Sequence, residues 1–544
     1  MPRTNSAEPP EQARPAPHAV VVPPSIAARH GARVLDPVTA VRLADSRPPR
    51  PTVYAGERLV VQHGRAWQGL DPLAELRAPC ATLGVRMDQV SGGFEAIPRA
   101  RGKRTPLHPE VLDLIRRHWM DTVRLTPEGD QPDQPVDAWP FLRRLQTDAP
   151  DQANTMRLDH LIAATPVAGV PYWGGTPYWG GTSPYWGGTP YWGGTQNPAT
   201  EYGRPGFGGR TPVAVVLPNP AASAAPLRRA PVVAIPDTGL GRHPWFDGDA
   251  TVTTQVTFDG ILLGLDGPVP FDAGTPATAP NPLDPVIEPD TGHGTFIAGL
   301  IRQLCPQARI LAIPVMRNDG VVSESGLINT LTLLLARHKQ ALLDGSEDGL
   351  IDVLSLSLGY YHESAEDHKM DGPFGLLMRE FAEHGVAVVA AAGNSTTLAP
   401  MYPAGFASDV TGFAKDRVPL ASVGALNPGG TVAYFSNDGD WVTTFRMGSA
   451  LVSTFPVDVT SAMQPTAEVQ YRDRLRTTLD PDDFRGGFCT WSGTSFAAPV
   501  LAGQIAAALA TDDTLPTVDQ GAAVARGRRA VKAVVAEWHK GKGL

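Results

Sequence analysis

Cysteine is scarce in this sequence, with 3 residues in 544. Cys80, Cys305 and Cys489 lie far apart in the chain and are odd in number. This arrangement gives no disulfide framework and matches no metal-ligand spacing. We therefore expect three buried thiols that serve as small apolar side chains.

Long apolar runs are also missing, because no segment reaches the roughly 18 apolar residues of a membrane-spanning helix. The best apolar stretch near the N-terminus is interrupted by Pro23 and Pro24. The N-terminus therefore lacks the apolar region of a secretory signal. We expect no membrane insertion and a cytoplasmic location.

Positive charge is in deficit, since 46 Lys and Arg residues oppose 55 Asp and Glu residues and the net charge is −9. This balance argues against a general binder of nucleic acids or anionic membranes. The basic stretch at 514–544 is predicted to be a terminal helix whose charges form a solvated face. We expect a monomer without a nucleic-acid partner.

Glycine and proline are abundant instead, with 56 and 54 residues, and two clusters hold part of them. Residues 1–50 include ten prolines, and we predict that they are disordered. Residues 166–210 include four copies of PYWGGT, starting at Pro171, Pro177, Pro184 and Pro190. Because such short glycine-paired units cannot build a packed core, they predict a flexible linker.

Residues 51–165, between the two clusters, are predicted to form a small α/β unit from their alternating strand and helix patterns. The predicted strands are Glu57–Gln62, Asp121–Leu125 and Asn154–Ile162, and the predicted helices are Asp71–Leu83 and Phe141–Gln146.

Residues 211–513 alternate short apolar runs with helical patterns, which is typical of a mostly parallel sheet covered by helices on both faces. We predict a three-layer α/β sandwich. The predicted strands are Val213–Leu217, Val232–Ile235, Ile310–Val315, Val353–Leu358, Val386–Ala392 and Leu420–Val423, and the predicted helices are Gly294–Cys305, Ser323–Leu343 and Phe374–Glu383. Functional groups in such sheets gather at the carboxyl ends of the strands.

Residues with complementary chemistry stand at these element ends. Asp237 ends an apolar strand, and His293 and Ser495 each open an apolar helix. A serine hydroxyl becomes nucleophilic when a neutral imidazole takes its proton and a buried carboxylate orients the imidazole. Asn394 follows another strand and offers an amide donor for a developing oxyanion, with the backbone N–H of Ser495 as a second donor.

The segments around these residues are DTG at 237–239, HGT at 293–295, AGN at 392–394 and GTSFAAP at 493–499. In this order they resemble the motifs of the subtilisin-like serine peptidases, or subtilases (family S8), over residues 211–510. The resemblance implies that Asp237 is the orienting acid, His293 the general base, Ser495 the nucleophile and Asn394 the oxyanion donor. It also matches Phe435-Ser436-Asn437 with a later core segment.

The same resemblance implies the substrate contacts. Ser357, Leu358 and Gly359 match the strand on which an extended peptide substrate pairs, and Ala391, Ala392 and Gly393 match a wall of the specificity pocket. The implied activity is that of a serine endopeptidase acting on polypeptides, without a cofactor. No carboxylate-rich loop resembles a calcium site, and we assign no metal.

The sequence departs from the family pattern after residue 445. Arg446-Met447-Gly448 replaces the usual Ala-Pro-Gly, and about 40 residues, Leu451–Thr490, separate it from the segment around Ser495. We predict that this insertion forms a rim of the cleft. The unit at 51–165 stands where subtilases carry a propeptide, which implies an inhibitor that the enzyme cuts away, with an unrelated accessory domain as the alternative.

Other interpretations remain open at this point. Aspartic peptidases also use two DTG triplets. The two triplets of this chain, at Asp237 and Asp290, are 53 residues apart, which is too short for one triplet per lobe. A non-catalytic peptide-binding module is a second alternative. Three interpretations of the PYWGGT repeats are open: a linker, aromatic docking segments, or peptide cargo for the fused peptidase.

Overall fold

The computed structural model describes residues 24–42, 47–62, 74–90, 107–128, 136–164, 202–203, 206–265, 287–364, 372–407, 415–461 and 463–541. The PYWGGT repeats and most of the predicted linker lie outside these residues. Within the described part of the chain, no helix combines the length and apolarity needed to cross a membrane.

The N-terminal unit is an antiparallel sheet with helices. Its strands are β1 (Ala32–Leu35), β2 (Thr52–Gln62), β3 (Val85–Gln89), β4 (Met120–Pro127) and β5 (Met156–Ala164), and its helices are Pro24–Arg29, Ala74–Thr82, Pro109–His118, Ala138–Asp148 and Pro150–Ala153. Strand β2 pairs with β1, β4 and β5, and β3 pairs with β4. The five elements predicted for residues 51–165 are all present, and three of them extend beyond the predicted bounds. The strand predicted at Asn154–Ile162 is shifted to Met156–Ala164, and the helix predicted at Asp71–Leu83 is described at Ala74–Thr82.

The predicted disorder of residues 1–50 is wrong for their second half. The helix Pro24–Arg29 and strand β1 occupy part of it, and β1 pairs with the start of β2. The proline count misled the prediction because prolines flank these elements. Pro24 is the first residue of the helix, where a missing N–H costs nothing.

The helix Ala138–Asp148 shows how the local sequence sets an element of this unit. Asp137 caps it, since its carboxylate accepts from the backbone N–H of Trp139 at 3.2 Å. Phe141, Leu142 and Leu145 are buried on one face, which matches the helical period of i, i+1 and i+4. This face closes the core against β2 and β5.

The larger unit is built on a parallel sheet of seven strands in the order β17–β16–β15–β13–β7–β11–β8. These strands are β7 (Val232–Asp237), β8 (Val252–Thr253), β11 (Arg309–Pro314), β13 (Val353–Leu356), β15 (Ala387–Ala391), β16 (Ala421–Leu426) and β17 (Thr444–Met447). The remaining strands are β6 (Thr211–Pro212), β9 (Thr257–Phe258), β10 (Ile261–Leu262), β12 (Val321–Ser323), β14 (Leu358–Gly359), β18 (Leu451–Thr454), β19 (Glu468–Tyr471), β20 (Arg474–Thr477) and β21 (Phe488–Trp491).

Helices cover both faces of this sheet, so the predicted three-layer α/β sandwich is confirmed. His293–Leu304 and Thr494–Ala510 pack on one face, and Glu324–Asp344 and Pro373–Glu383 pack on the other. The sheet residues alternate between the two apolar cores, with Val233 and Ile235 in one and Val232 and Ala234 in the other. This double burial explains why the strands are almost continuously apolar.

Two predictions about this unit are wrong. Val213–Leu217 is not a strand, because the strand is the two-residue β6 and Val216 is 96 % exposed. The basic C-terminal helix, observed at Gln520–Gly541, does not carry only solvated charges. Arg526 is buried and donates to the backbone oxygen atoms of Thr514 and Thr517 at 3.2 and 2.9 Å.

The predicted insertion Leu451–Thr490 contains two different parts. Its ends, β18 and β21, pair with each other, and β21 also pairs with β6. Its middle is the hairpin of β19 and β20, whose residues are all exposed.

The three cysteines are buried and unpaired, and burial raises the pKa of Cys80 and of Cys305 to about 11.

The two units share an apolar core and a sheet, since β12 and β14 of the larger unit pair with β5 of the N-terminal unit. Leu114 and Ile115, on the helix Pro109–His118, join the apolar core of the helix Glu324–Asp344. Asn329, on that second helix, exchanges two hydrogen bonds with the backbone of Met120. The Asp159 carboxylate accepts from the backbone N–H of Ser325 at 3.1 Å, where a helix start favours negative charge.

Candidate active site

The Asp237 and His293 side chains form a direct hydrogen bond at the end of β7. The Nδ1 atom of His293 lies 2.8 Å from Oδ1 of Asp237, and both side chains are fully buried. The same Oδ1 accepts from the backbone N–H of Thr238 at 2.7 Å. A buried carboxylate in this position selects the imidazole tautomer that carries its proton on Nδ1.

Small residues allow the strand end and the His293 helix to approach this closely. A Cβ on Gly294 would lie 2.2 Å from the backbone oxygen of Gly239, so only glycine fits there. The N–H of Gly294 donates to Oγ1 of Thr238 at 2.9 Å. Gly292 precedes the helix with a φ of 78°, a backbone conformation that favours glycine.

The Ser495 side chain lies at the start of the helix Thr494–Ala510 and is fully buried. Its Oγ donates to the backbone oxygen of Ser357 at 3.2 Å, and Oγ of Ser357 donates to the backbone oxygen of Ser495 at 2.7 Å. The adjacent Phe496 ring lies 5.3 Å from the His293 ring. The segment around Ser495 is therefore bound to the end of β13 and packed against the imidazole.

The Asn394 side chain is oriented by the residue next to Ser495. Its Oδ1 accepts from the backbone N–H and from Oγ1 of Thr494, both at 2.9 Å. Because the oxygen is held there, the Nδ2 donor is directed away from Thr494. A side-chain amide N–H is the kind of donor that an oxyanion requires.

The groove beside Ser495 is occupied by strand β5 of the N-terminal unit. Ala163 pairs antiparallel with Gly359 on one side and with Val321 on the other. Ala164 pairs with Leu358, and its N–H donates to the backbone oxygen of Gly320 at 2.8 Å. The strand predicted to bind substrate, which follows Ser357, thus already holds an extended chain segment.

The predicted pocket residues lie next to this groove. Ala391 and Ala392 are fully buried at the end of β15. Gly393 has a φ of 100°, and a Cβ there would lie 2.5 Å from Nδ2 of Asn437. The structure therefore brings together the residues predicted from the sequence, while their catalytic and binding roles stay predictions.

Comparison with known proteins decides the family. The family model described as the subtilase family matches residues 228–534, which is more than half of the chain. The chain belongs to the subtilase family. It is a serine-type peptidase, a hydrolase, as the sequence predicted.

One similar solved structure is described as a cold adapted subtilisin-like serine proteinase. It is 22 % identical over 54 % of this chain and 79 % of that chain, with a TM-score of 0.31. A search of curated proteins finds no match.

Sequence reasoning missed Arg210 of this subtilase. Its guanidinium donates to the backbone oxygen atoms of Glu288, Pro289 and Thr291 at 3.1–3.2 Å and lies 5.0 Å from the Trp491 ring. These bonds fix the loop that leads into His293. Nothing in the local sequence around Arg210 distinguishes it, because all its partners are distant in the chain.

Asn437 supports the site, although the sequence matched it only with a core segment. Its Oδ1 accepts from the N–H of Ser395 at 2.9 Å, and its Nδ2 donates to the backbone oxygen of Ala392 at 2.8 Å. The N–H of Asn437 donates to the oxygen of Gly393 at 2.8 Å. One buried amide therefore holds the turn that presents Asn394.

The electrostatics of His293 favour its charged form. Burial disfavours the imidazolium, but the carboxylates of Asp237 and Asp290 outweigh burial and raise the pKa of His293 above its ordinary value. Stabilising the imidazolium is what a general base needs after it accepts a proton. Asp290 is also buried, and its backbone oxygen accepts from the N–H of His293 at 3.0 Å.

Replacing Asp290 with Asn is expected to change how stability depends on pH. Burial raises the pKa of Asp290 to about 7, whereas an unfolded aspartate has a pKa of about 3.9. The protonated carboxyl therefore stabilises the fold below about pH 4, and this contribution is lost as the pH rises to about 7. The neutral amide has no such loss, so Asp290→Asn gains up to about 4 kcal/mol relative to the parent over that range.

Chemical unfolding of both proteins in the Ser495→Ala background, at pH 4, 5, 6 and 7, measures this difference. The exposed Asp247 provides the control, and Asp247→Asn should follow the parent curve. Parallel curves for Asp290→Asn and the parent would show that Asp290 is ionised throughout.

Proposed function

We propose that this subtilase is a serine endopeptidase that hydrolyses polypeptides through an acyl-enzyme on Ser495. His293 is the general base and then the general acid, Asp237 orients it, and Asn394 donates to the oxyanion. The observation that carries the proposal is the buried 2.8 Å hydrogen bond between Asp237 and His293, at the strand end that faces the Ser495 helix. We propose a monomer that needs no nucleic acid.

The reaction follows from these positions. Oγ of Ser495 attacks the carbonyl carbon while its proton passes to Nε2 of His293, and the tetrahedral oxyanion is bound by Nδ2 of Asn394. The imidazolium gives that proton to the leaving amine as the C–N bond breaks. Water then attacks the acyl-enzyme, with His293 again as the base, and releases the acid and Ser495.

The Ser495 hydroxyl is bound to the end of β13 in this structure. Oγ of Ser495 is directed to the backbone oxygen of Ser357, and Nε2 of His293 has no hydrogen-bond partner among the described residues. A rotation of the serine hydroxyl toward Nε2 would complete the arrangement. Catalytic hydrogen bonds often form only when substrate binds.

We further propose that the N-terminal unit is an inhibitory propeptide that the enzyme removes. Ala163 and Ala164 lie where an extended substrate would add to the edges of β12 and β14. This addition of a strand supplies main-chain hydrogen bonds to any sequence. Self-cleavage C-terminal to Ala164 would free the groove.

Ser495→Ala is expected to abolish both processing and labelling. Wild type should yield separate N-terminal and mature fragments, and the mature fragment should react with a fluorophosphonate probe, which needs an activated serine. Without its nucleophile the variant should remain one chain of 57.8 kDa and take up no probe. Intact-mass spectrometry and gel labelling measure the two effects.

Ser223→Ala is the matched control, because Ser223 is exposed in a surface turn. It should be processed and labelled like wild type. A folded, processed wild type that takes up no probe would contradict the serine mechanism. An uncut wild type that still hydrolyses a peptide would contradict the propeptide proposal alone.

A further inference from the structure

A second cluster of chemically reactive side chains lies between the two units, outside the Ser495 site. It consists of His160 on β5, Glu324 at the start of the helix Glu324–Asp344, and His362 with Glu363 just after β14. His160 is 2 % exposed, so the cluster is closed to solvent on the side of the N-terminal unit. The proposed peptide hydrolysis does not use any of these residues.

The His160 ring is held in one orientation by both of its nitrogen atoms. Nδ1 lies 2.5 Å from Oε2 of Glu324, and Nε2 lies 2.7 Å from Oε2 of Glu363. The hydroxyl of Tyr360 donates to the other oxygen of Glu324 at 3.0 Å, and its ring packs 4.7 Å from the His160 ring. The donor atoms of His160, Glu324 and Glu363 are therefore preorganised.

The donor atoms have the spacing and the chemistry of a zinc site. One atom each of His160, His362 and Glu363 lies within 4.8 Å of the others. Ligands about 2.1 Å from a tetrahedral zinc ion are roughly 3.4 Å apart. Small side-chain shifts would therefore bring the three donor atoms to the separation that zinc requires. Two imidazoles with one carboxylate suit zinc better than calcium, which takes oxygen ligands.

The surroundings provide a carboxylate partner for a zinc-bound histidine and room for a fourth ligand. Zinc-bound histidines usually donate their other ring N–H to a carboxylate, and Glu324 occupies that position beside Nδ1 of His160. A cavity of about 20 Å³, lined by His160, His362 and Tyr360 among others, has room for one water as a fourth ligand.

We propose that His160, His362 and Glu363 bind a zinc ion that joins the N-terminal unit to the peptidase unit. His160 comes from one unit and the other two ligands come from the other, so the complete ligand set exists only while the units are associated. Metal binding to the associated state tightens the association by a factor of about 100 when zinc is at 100 times its dissociation constant. The conclusion that zinc would help to keep the peptidase inhibited rests on the proposed propeptide, whereas zinc binding itself does not.

A proton can occupy the same geometry, since a charged His160 would donate to both glutamates without any metal. The test therefore measures zinc directly. The full-length chain with Ser495→Ala is treated with EDTA, desalted, and titrated with Zn²⁺ against a chromophoric chelator. Bound zinc is then measured by mass spectrometry after gel filtration. We expect one zinc per chain.

His362→Ala and Glu363→Gln are expected to weaken zinc binding at least 10-fold, and Glu324→Gln is expected to weaken it about 10- to 100-fold. His108→Ala is the matched control, because His108 also contacts a carboxylate of the other unit, that of Asp344, at 3.0 Å. It should bind zinc as the parent does.

Unfolding curves without metal establish that each variant is folded. A parent that binds no zinc, or a folded His362→Ala that binds it as tightly as the parent, would overturn the site. Neither result depends on peptidase activity, so a failure of the proposed function would appear separately in the probe labelling.

Discussion

Asp237→Ala is expected to lower kcat roughly 10⁴-fold in enzyme whose N-terminal unit has been removed by an added peptidase. The variant loses the acceptor that fixes Nδ1 of His293 and the charge that stabilises the imidazolium. KM should change little, because Asp237 is buried beneath His293 and does not line the groove. Steady-state kinetics on a peptide substrate measure both constants.

Asp237→Asn is expected to lose less activity than Asp237→Ala. Oδ1 of Asp237 accepts from both the Thr238 N–H and the His293 ring, and an amide oxygen can take the same place. The Thr238 N–H would then keep the amide in the orientation that preserves the tautomer, and only the charge is lost. Equal losses in the two variants would contradict this, and Asp247→Asn, at an exposed carboxylate, should retain wild-type kinetics.

Asn394→Ala is expected to lower kcat about 10²- to 10³-fold, with KM nearly unchanged. The oxyanion forms only in the transition state, so the loss of its side-chain donor should not weaken substrate binding. Thr494→Val should cause a smaller loss of kcat. It removes one of the two bonds from Thr494 that orient the Asn394 amide, while the donor itself stays.

Asn427→Ala is the control for this series, since Asn427 is half-buried in the turn after β16 and its side chain hydrogen-bonds with Thr431 and Tyr202. Its kinetics should equal those of wild type. A raised KM with unchanged kcat in Asn394→Ala would assign Asn394 to substrate binding in place of oxyanion stabilisation. Full activity of Asn394→Ala would remove it from the site.

The sequence predicted the parallel sheet and the positions of the site residues because both depend on local patterns. Strands such as β7 and β15 are buried on both faces and read as apolar runs. Asp237, His293 and Ser495 stand at element ends that short motifs mark. The fold class and the clustering of these residues were therefore predictable.

The remaining features depend on contacts between distant segments. Strand β12 has only three residues, too few for a periodicity, and it is a strand because β5 pairs with it. Nothing in the sequence distinguishes Arg210 and Arg526 from exposed basic residues, because only the structure shows which backbone oxygen atoms they bind. Conversely, Val213–Leu217 has the composition of a strand, but it lacks a neighbouring edge along most of its length.

The pairing of Ala163 and Ala164 on the groove also limits what the proposed enzyme can digest. A segment that takes their place must be fully extended, and both of its backbone edges must be unpaired. At the position of Ala164 it must supply an N–H to Gly320, which proline cannot do. Helices and the inner strands of folded proteins therefore have to unfold locally before they are cut, so susceptibility should follow the local unfolding of a substrate more closely than its residue composition.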